Sequence, residues 1–108
     1  MDNKNLRLIT AVVQRSYGTP VVEAALKAGA TGATYFDALG SGVRENLRVL
    51  SQLIEAEKQV VLIVTTADLL DKVLRAVSET GQLRKPGYGF AFVQEVLDAI
   101  GFVEPTRG

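Results

Sequence analysis

Two glycine-bearing stretches carry the residue types that could hold an anion. In "GQLRKPGYGFAF", residues 81–92, Gly87 and Gly89 flank Tyr88, and the cations Arg84 and Lys85 precede them. Glycines let backbone N–H groups approach a phosphate or carboxylate without Cβ interference, and concave arrays of such amides bind these groups. Arg84 and Lys85 would add charge, and Tyr88 a ring on which a base can stack. The same residues also suit a plain helix-to-strand turn, with Gly81 capping the helix, Pro86 stiffening the chain and Gly87 taking a positive φ. In "GSGVRE", residues 40–45, Gly40 and Gly42 offer a close backbone approach and Arg44 a phosphate-matching fork. Its other reading is a loop hinge with a solvated arginine.

Most other chemistry is closed to this chain. It contains no cysteine and no histidine, which removes disulfides, thiolate metal sites, imidazole bases and Cys/His nucleophile pairs together. Glu55, Glu57 and Lys58 suggest acid-base chemistry or a hard-cation site, but paired carboxylates work in catalysis only where a pocket drives their pKa values apart, and nothing in the pattern buries them, so a solvated loop face is the simpler reading. No catalytic residue and no metal site is predicted, so an enzyme is not expected. Acidic and basic residues cancel at twelve each, which leaves no field suited to nucleic acid or an anionic membrane. The opening "MDNKNLRLITAVVQR" has an acid at position 2 and an apolar stretch broken by Arg7 and Thr10, unlike a signal peptide or spanning helix. A cytoplasmic protein without membrane insertion is the expectation.

The elements that must position these residues follow from periodicity. Residues 5–14, "NLRLITAVVQ", read as a strand covered on both sides, and "GTP" supplies Thr19 as N-cap and Pro20 as first residue of a helix ending near Ala28, before Gly29. Val21, Val22, Ala25 and Leu26 make its apolar stripe. A second strand spans 33–39, and residues 41–57 form a protruding connector whose leucines fit either helical spacing or an irregular hairpin arm. "KQVVLIVT", 58–65, is the best central strand, followed by a helix capped by Thr66, striped by Leu69, Leu70, Val73, Leu74 and Val77, and ended by Gly81. "GFAFVQEV" makes a fourth strand, and "AIGFVEP" a short fifth within a C-terminal extension, 96–108.

Strand, helix, strand, strand, helix, strand in a single domain of 108 residues predicts an α+β, ferredoxin-like βαββαβ sandwich: a four-stranded antiparallel sheet with both helices on one face. The other sheet face then has no cover. In so small a chain its Ile, Val and Phe side chains are most simply buried against other copies, so a homo-oligomer is expected.

With this element order, "AGATGATYFDALGSG" at 28–42, "EKQVVLIV" at 57–64 and "TGQLRKPGYGFAFV" at 80–93 together resemble the nitrogen-regulatory PII signalling proteins, above all their shorter PII-like members, over roughly residues 6–95. The resemblance implies a homotrimer with adenine nucleotides or related small effectors in clefts between subunits, and a loop after the second strand that reports the ligand to a transporter, enzyme or regulator. The connector at 41–57 matches that loop. Carried over by position, Thr34, Gly40, Gly42, Arg44 and Val64 fall where the family lines the base pocket and opens the loop, Gly87 and Gly89 on the phosphate loop, and Lys58 at a basic position before the third strand. There are departures too. Phe90 stands where the family's phosphate loop usually has a lysine, "VQEVLDAIGFVEP" contains no cation where arginines usually reach a triphosphate, and the connector has no match for the tyrosine that some members modify.

The leading expectation is therefore a trimeric, non-enzymatic regulator that needs no cofactor and senses ATP, ADP, AMP or another small anion. A different class remains open: a trimeric interaction scaffold without nucleotide, whose Leu47, Val49, Leu50, Leu53 and Ile54 dock a target protein. An amino-acid-binding regulatory domain, which shares the element order, would place a carboxylate ligand at the same glycines.

Overall fold

The β-branched run at the middle of the chain builds the centre of the sheet. The computed structural model describes residues 5–39 and 57–101. Strand β1, Leu6–Gln14, leads through a turn into helix α1, Gly18–Lys27; strand β2, Gly32–Leu39, and strand β3, Glu57–Thr66, follow. A short 3₁₀ turn, Ala67–Leu69, opens helix α2, Leu70–Gly81, and strand β4, Phe90–Glu95, completes the pattern. The four strands lie in the order β2-β3-β1-β4 and every pairing is antiparallel. This is the ferredoxin-like arrangement the element order predicts.

Register divides the sheet into two unlike faces, because successive side chains alternate. Ile9 stands opposite Ile63 and Val93, and Ala11 opposite Val61 and Ala91. Ile9, Ala11, Val61 and Ile63 join Val13, Val21, Ala25, Val73 and Val77 in one buried cluster, with Ala91 and Val93 of β4 packed against it, which puts both helices over the same face. Leu69, Leu70 and Leu74 pack at its margin, as the stripe of α2 predicts, whereas Leu26 of the α1 stripe is exposed. Leu8, Thr10 and Val12 point the other way, beside Val60, Leu62 and Val64 of β3, Thr34 and Phe36 of β2, and Phe90 and Phe92 of β4. Phe36 is 49% exposed, Phe90 55% and Phe92 46%, so within one chain this apolar surface is uncovered.

Thr65 is the polar residue of the core, fully buried on β3 with a hydroxyl that has no hydrogen-bond partner among the described residues. An unmatched buried hydroxyl costs its desolvation and returns nothing. Thr65→Val should therefore be neutral or stabilising by up to about 1 kcal/mol in urea unfolding. A clear destabilisation would mean that the hydroxyl has a partner.

Element ends differ from the local expectations, and long-range contacts explain why. Helix α1 starts at Gly18 rather than after Thr19, with Tyr17 as N-cap and no side-chain capping bond. Its first N–H donates instead to Gln59 Oε1 of β3 at 2.6 Å, while the Thr19 hydroxyl bonds Tyr35 Oη at 2.8 Å. Thr66 precedes the 3₁₀ turn without a side-chain cap bond, and α2 proper begins only at Leu70. Gly29 has the expected left-handed φ of 110° after α1, but α2 is ended by Gln82, at φ 54°, not by Gly81. Gly81 is the last helical residue, buried where a Cβ would come within 3.3 Å of Val13 Cγ1. Residues 96–101 contain no fifth strand, although Val96 N–H still donates to the Leu6 carbonyl; the rest of the predicted one lies outside the described residues.

Candidate functional site

The glycine stretch between α2 and β4 is an ordered double turn. Lys85 N–H donates to the Gln82 carbonyl at 3.1 Å, and Tyr88 N–H to the Lys85 carbonyl at 3.2 Å. Gly87 and Gly89 both adopt positive φ, 82° and 142°, which ordinary side chains rarely tolerate. Nothing lies within 4 Å of a Cβ built on Gly87, so that backbone is open to approach, whereas a Cβ on Gly89 would overlap the Val12 carbonyl oxygen. One glycine thus leaves backbone accessible, and the other lets β4 meet β1.

The cations beside this turn differ in placement. Lys85 Nζ sits 5.5 Å from the centroid of the Tyr88 ring, a cation–π distance. Arg84 and Gly89 instead help line a groove of about 620 Å³ between α2 and β4, where Arg75 and Arg84 are balanced by Asp71 and Glu79. Phe90, at the usual lysine position of the resemblance, is on the rim of the same groove.

A second groove, of about 450 Å³, lies at the end of the sheet from which residues 40–56 depart. Arg15, Ser16, Asp37, Ala38, Glu57, Lys58 and Gln59 line it. Of these only Lys58 was singled out for ligand contact from the sequence. Gln59 is the organising side chain: its Oε1 accepts from Gly18 N–H at 2.6 Å and its Nε2 donates to Asp37 Oδ1 at 2.8 Å. One amide therefore ties the start of α1 to the end of β2, just before the connector. Arg15 and Glu57 pair at 2.6 Å, but at 65% and 45% exposure their attraction is screened and adds little stability. That pair gives Glu57 a partner other than the acid-base cluster considered from the sequence; among the described residues, no group of three or more metal-ligating side chains occurs.

Thr34 and Val64 occupy the open sheet face, Thr34 opposite Leu62 and Val64 between Gly32 and Leu8. β2 and β4 are the two opposite edges of the sheet, so one chain does not bring Thr34 to the glycine turn. Gly40, Gly42, Arg44 and the proposed docking residues Leu47, Val49, Leu50, Leu53 and Ile54 lie outside the described residues. Sequence reasoning missed Arg15, Asp37 and Gln59 because each is an ordinary polar residue at a strand end, brought together only by pairing register.

The family model described as nitrogen regulatory protein P-II matches residues 6–103. The chain belongs to the P-II family. Nitrogen regulatory protein P-II 1 of Methanothermobacter thermautotrophicus is 30% identical over 102 residues, which span 90% of this chain and 89% of that one. The crystal structure of Arabidopsis thaliana PII bound to citrate superposes with a TM-score of 0.66 at 25% identity, covering 86% of this chain and 78% of its own. P-II proteins are regulatory signalling proteins and not enzymes. Among the described residues of this P-II protein, no helix is long and apolar enough to cross a membrane.

Proposed function

We propose that this P-II protein is a cytoplasmic homotrimer that senses an adenine nucleotide or another small anion in clefts between its subunits and controls a partner protein, such as a transporter or an enzyme, through residues 41–57. The observation that carries the reading is the uncovered apolar sheet face bearing Phe36, Phe90 and Phe92. Burying it against copies of itself satisfies an area too apolar to leave in water. Such packing also supports a composite site, because Thr34 on edge strand β2 and the Gly87–Gly89 turn leading into edge strand β4 lie at opposite edges of each sheet, and contact between neighbouring copies is what can bring the two together.

In this cleft the open Gly87 backbone and Lys85 take the anionic part of the ligand, with Arg84 beside them; Tyr88, Thr34 and Val64 take its flat or apolar part. Gly40, Gly42 and Arg44 at the start of the connector, and Lys58 at its end, couple occupancy to the loop. Ligand can bias the loop only by as much as it prefers one loop state over another. Phe90 and the cation-free stretch 93–105 leave few charges for a third phosphate. A ligand of lower charge than ATP suits the site better, and the citrate bound by the Arabidopsis relative is a small polyanion of that kind.

A thermal-shift panel of ATP, ADP, AMP, cyclic AMP, bicarbonate and citrate tests this reading. A bound member at a hundred times its dissociation constant adds about 2.7 kcal/mol of stability, with ADP or citrate expected to exceed ATP. If none of the six raises the melting temperature of an intact trimer, the sensing role is wrong.

A further inference from the structure

Tyr17 stands in the turn between β1 and α1, far from the glycine stretch in sequence, yet it is the residue on which that stretch rests. Its N–H donates to the Gln14 carbonyl at 3.0 Å, closing a turn in which Ser16 takes a left-handed φ of 80°. From there the ring packs at the margin of the buried cluster. Its hydroxyl accepts a 3.0 Å hydrogen bond from Gln82 Nε2, across 65 residues of chain. Its ring edge meets Tyr88, with centroids 6.4 Å apart and planes at 74°, a favourable aromatic geometry. Tyr88 in turn carries Lys85 on its ring.

Gln82 and Tyr88 are the two ends of the double turn, the first in the left-handed conformation that stops α2 and the second placed between the two glycines. Both are held by the same side chain. We infer that Tyr17 is a positioning residue for the anion-binding turn: it fixes both ends of residues 82–88, so that the Gly87 backbone and the Lys85 ammonium are set in place before a ligand arrives. This rests on the reading of the turn as half of a ligand cleft. A turn ordered in advance spares the ligand the entropy of ordering it, and that saving appears as affinity.

The test compares wild type with Tyr17→Phe, Tyr17→Leu and Gln82→Ala. Tyr17→Phe keeps the ring contacts and loses only the bond to Gln82; Tyr17→Leu still fills the margin of the core but loses the edge contact with Tyr88. In the ligand-free protein, ¹⁵N order parameters of Gly87, Tyr88 and Gly89 should drop from about 0.85 toward 0.6 in Tyr17→Leu, and less in the other two, while Ile9 and Ile63 stay rigid. Calorimetric titration with ADP should give a dissociation constant about tenfold higher for Tyr17→Leu, and a smaller, matching rise for Tyr17→Phe and Gln82→Ala. Unchanged order parameters in all three variants would overturn the inference. So would a loosened turn that binds ADP as tightly as wild type. Failure of wild type to bind either ADP or citrate would instead overturn the cleft reading, and the order parameters alone would then decide whether Tyr17 orders the turn.

Discussion

Gly89→Ala should lower the unfolding free energy by about 3 kcal/mol or more. Two costs combine there. A φ of 142° is strained for any residue with a Cβ, and that atom would overlap the carbonyl oxygen of Val12. The carbonyl cannot step aside cheaply, because Val12 is in the interior strand, paired to Val60 on one side and Phe90 on the other. Gly87→Ala is the matched control: its φ of 82° is also left-handed, but nothing lies within 4 Å of the added carbon. It should cost about 1 kcal/mol, the conformational penalty alone. Urea unfolding of both variants distinguishes the two glycines, and equal costs would refute the close approach of β4 to β1.

Leu62→Asp should convert the proposed trimer to a folded single chain. Leu62 lies on the open face between Thr10 and Thr34, while the residues on either side of it, Val61 and Ile63, are fully buried in the core. A carboxylate introduced there would be solvated in a lone protomer but buried without a partner wherever open faces pack together, at a cost of several kcal/mol per copy. Light scattering at micromolar concentration should give three chain masses for wild type and one for the variant, with the same helical circular dichroism. An assembly of unchanged mass would show that the open face is not what joins the copies.

The order of elements was legible because each signal is local. The run "KQVVLIVT" can hardly be anything but a central strand, and the alternation in "NLRLITAVVQ" already separates Ile9, Ala11 and Val13 from Leu8, Thr10 and Val12. Helix ends were not legible where the deciding partner is remote. Gln59 satisfies the start of α1 from another strand, so Thr19 is released to bond Tyr35. Gly81 has the composition of a stop signal but serves the packing of α2 against Val13, and Gln82 takes the left-handed turn. The candidate site divides in the same way. Gly87 and Gly89 stand out by type and spacing, whereas Thr34 and Val64 look like ordinary strand residues and drew notice only through the family resemblance. Tyr17, whose bond to Gln82 spans 65 residues, gives no local sign of its place beneath the turn.

The placement of β1 inside the sheet also governs how the chain is made. Both strands that flank it are synthesised later: Leu6 must wait for Thr66, and Arg7 for Glu95 as well. A nascent chain emerging from the ribosome therefore carries its first strand with both edges unpaired until β3 is out, and with one edge unpaired until β4 follows. Distant pairings of this kind slow folding and leave strand edges open to neighbours. Helix α1, which follows β1 at once, is the earliest element able to cover it, so a chain stalled before β3 is the species most in need of a chaperone.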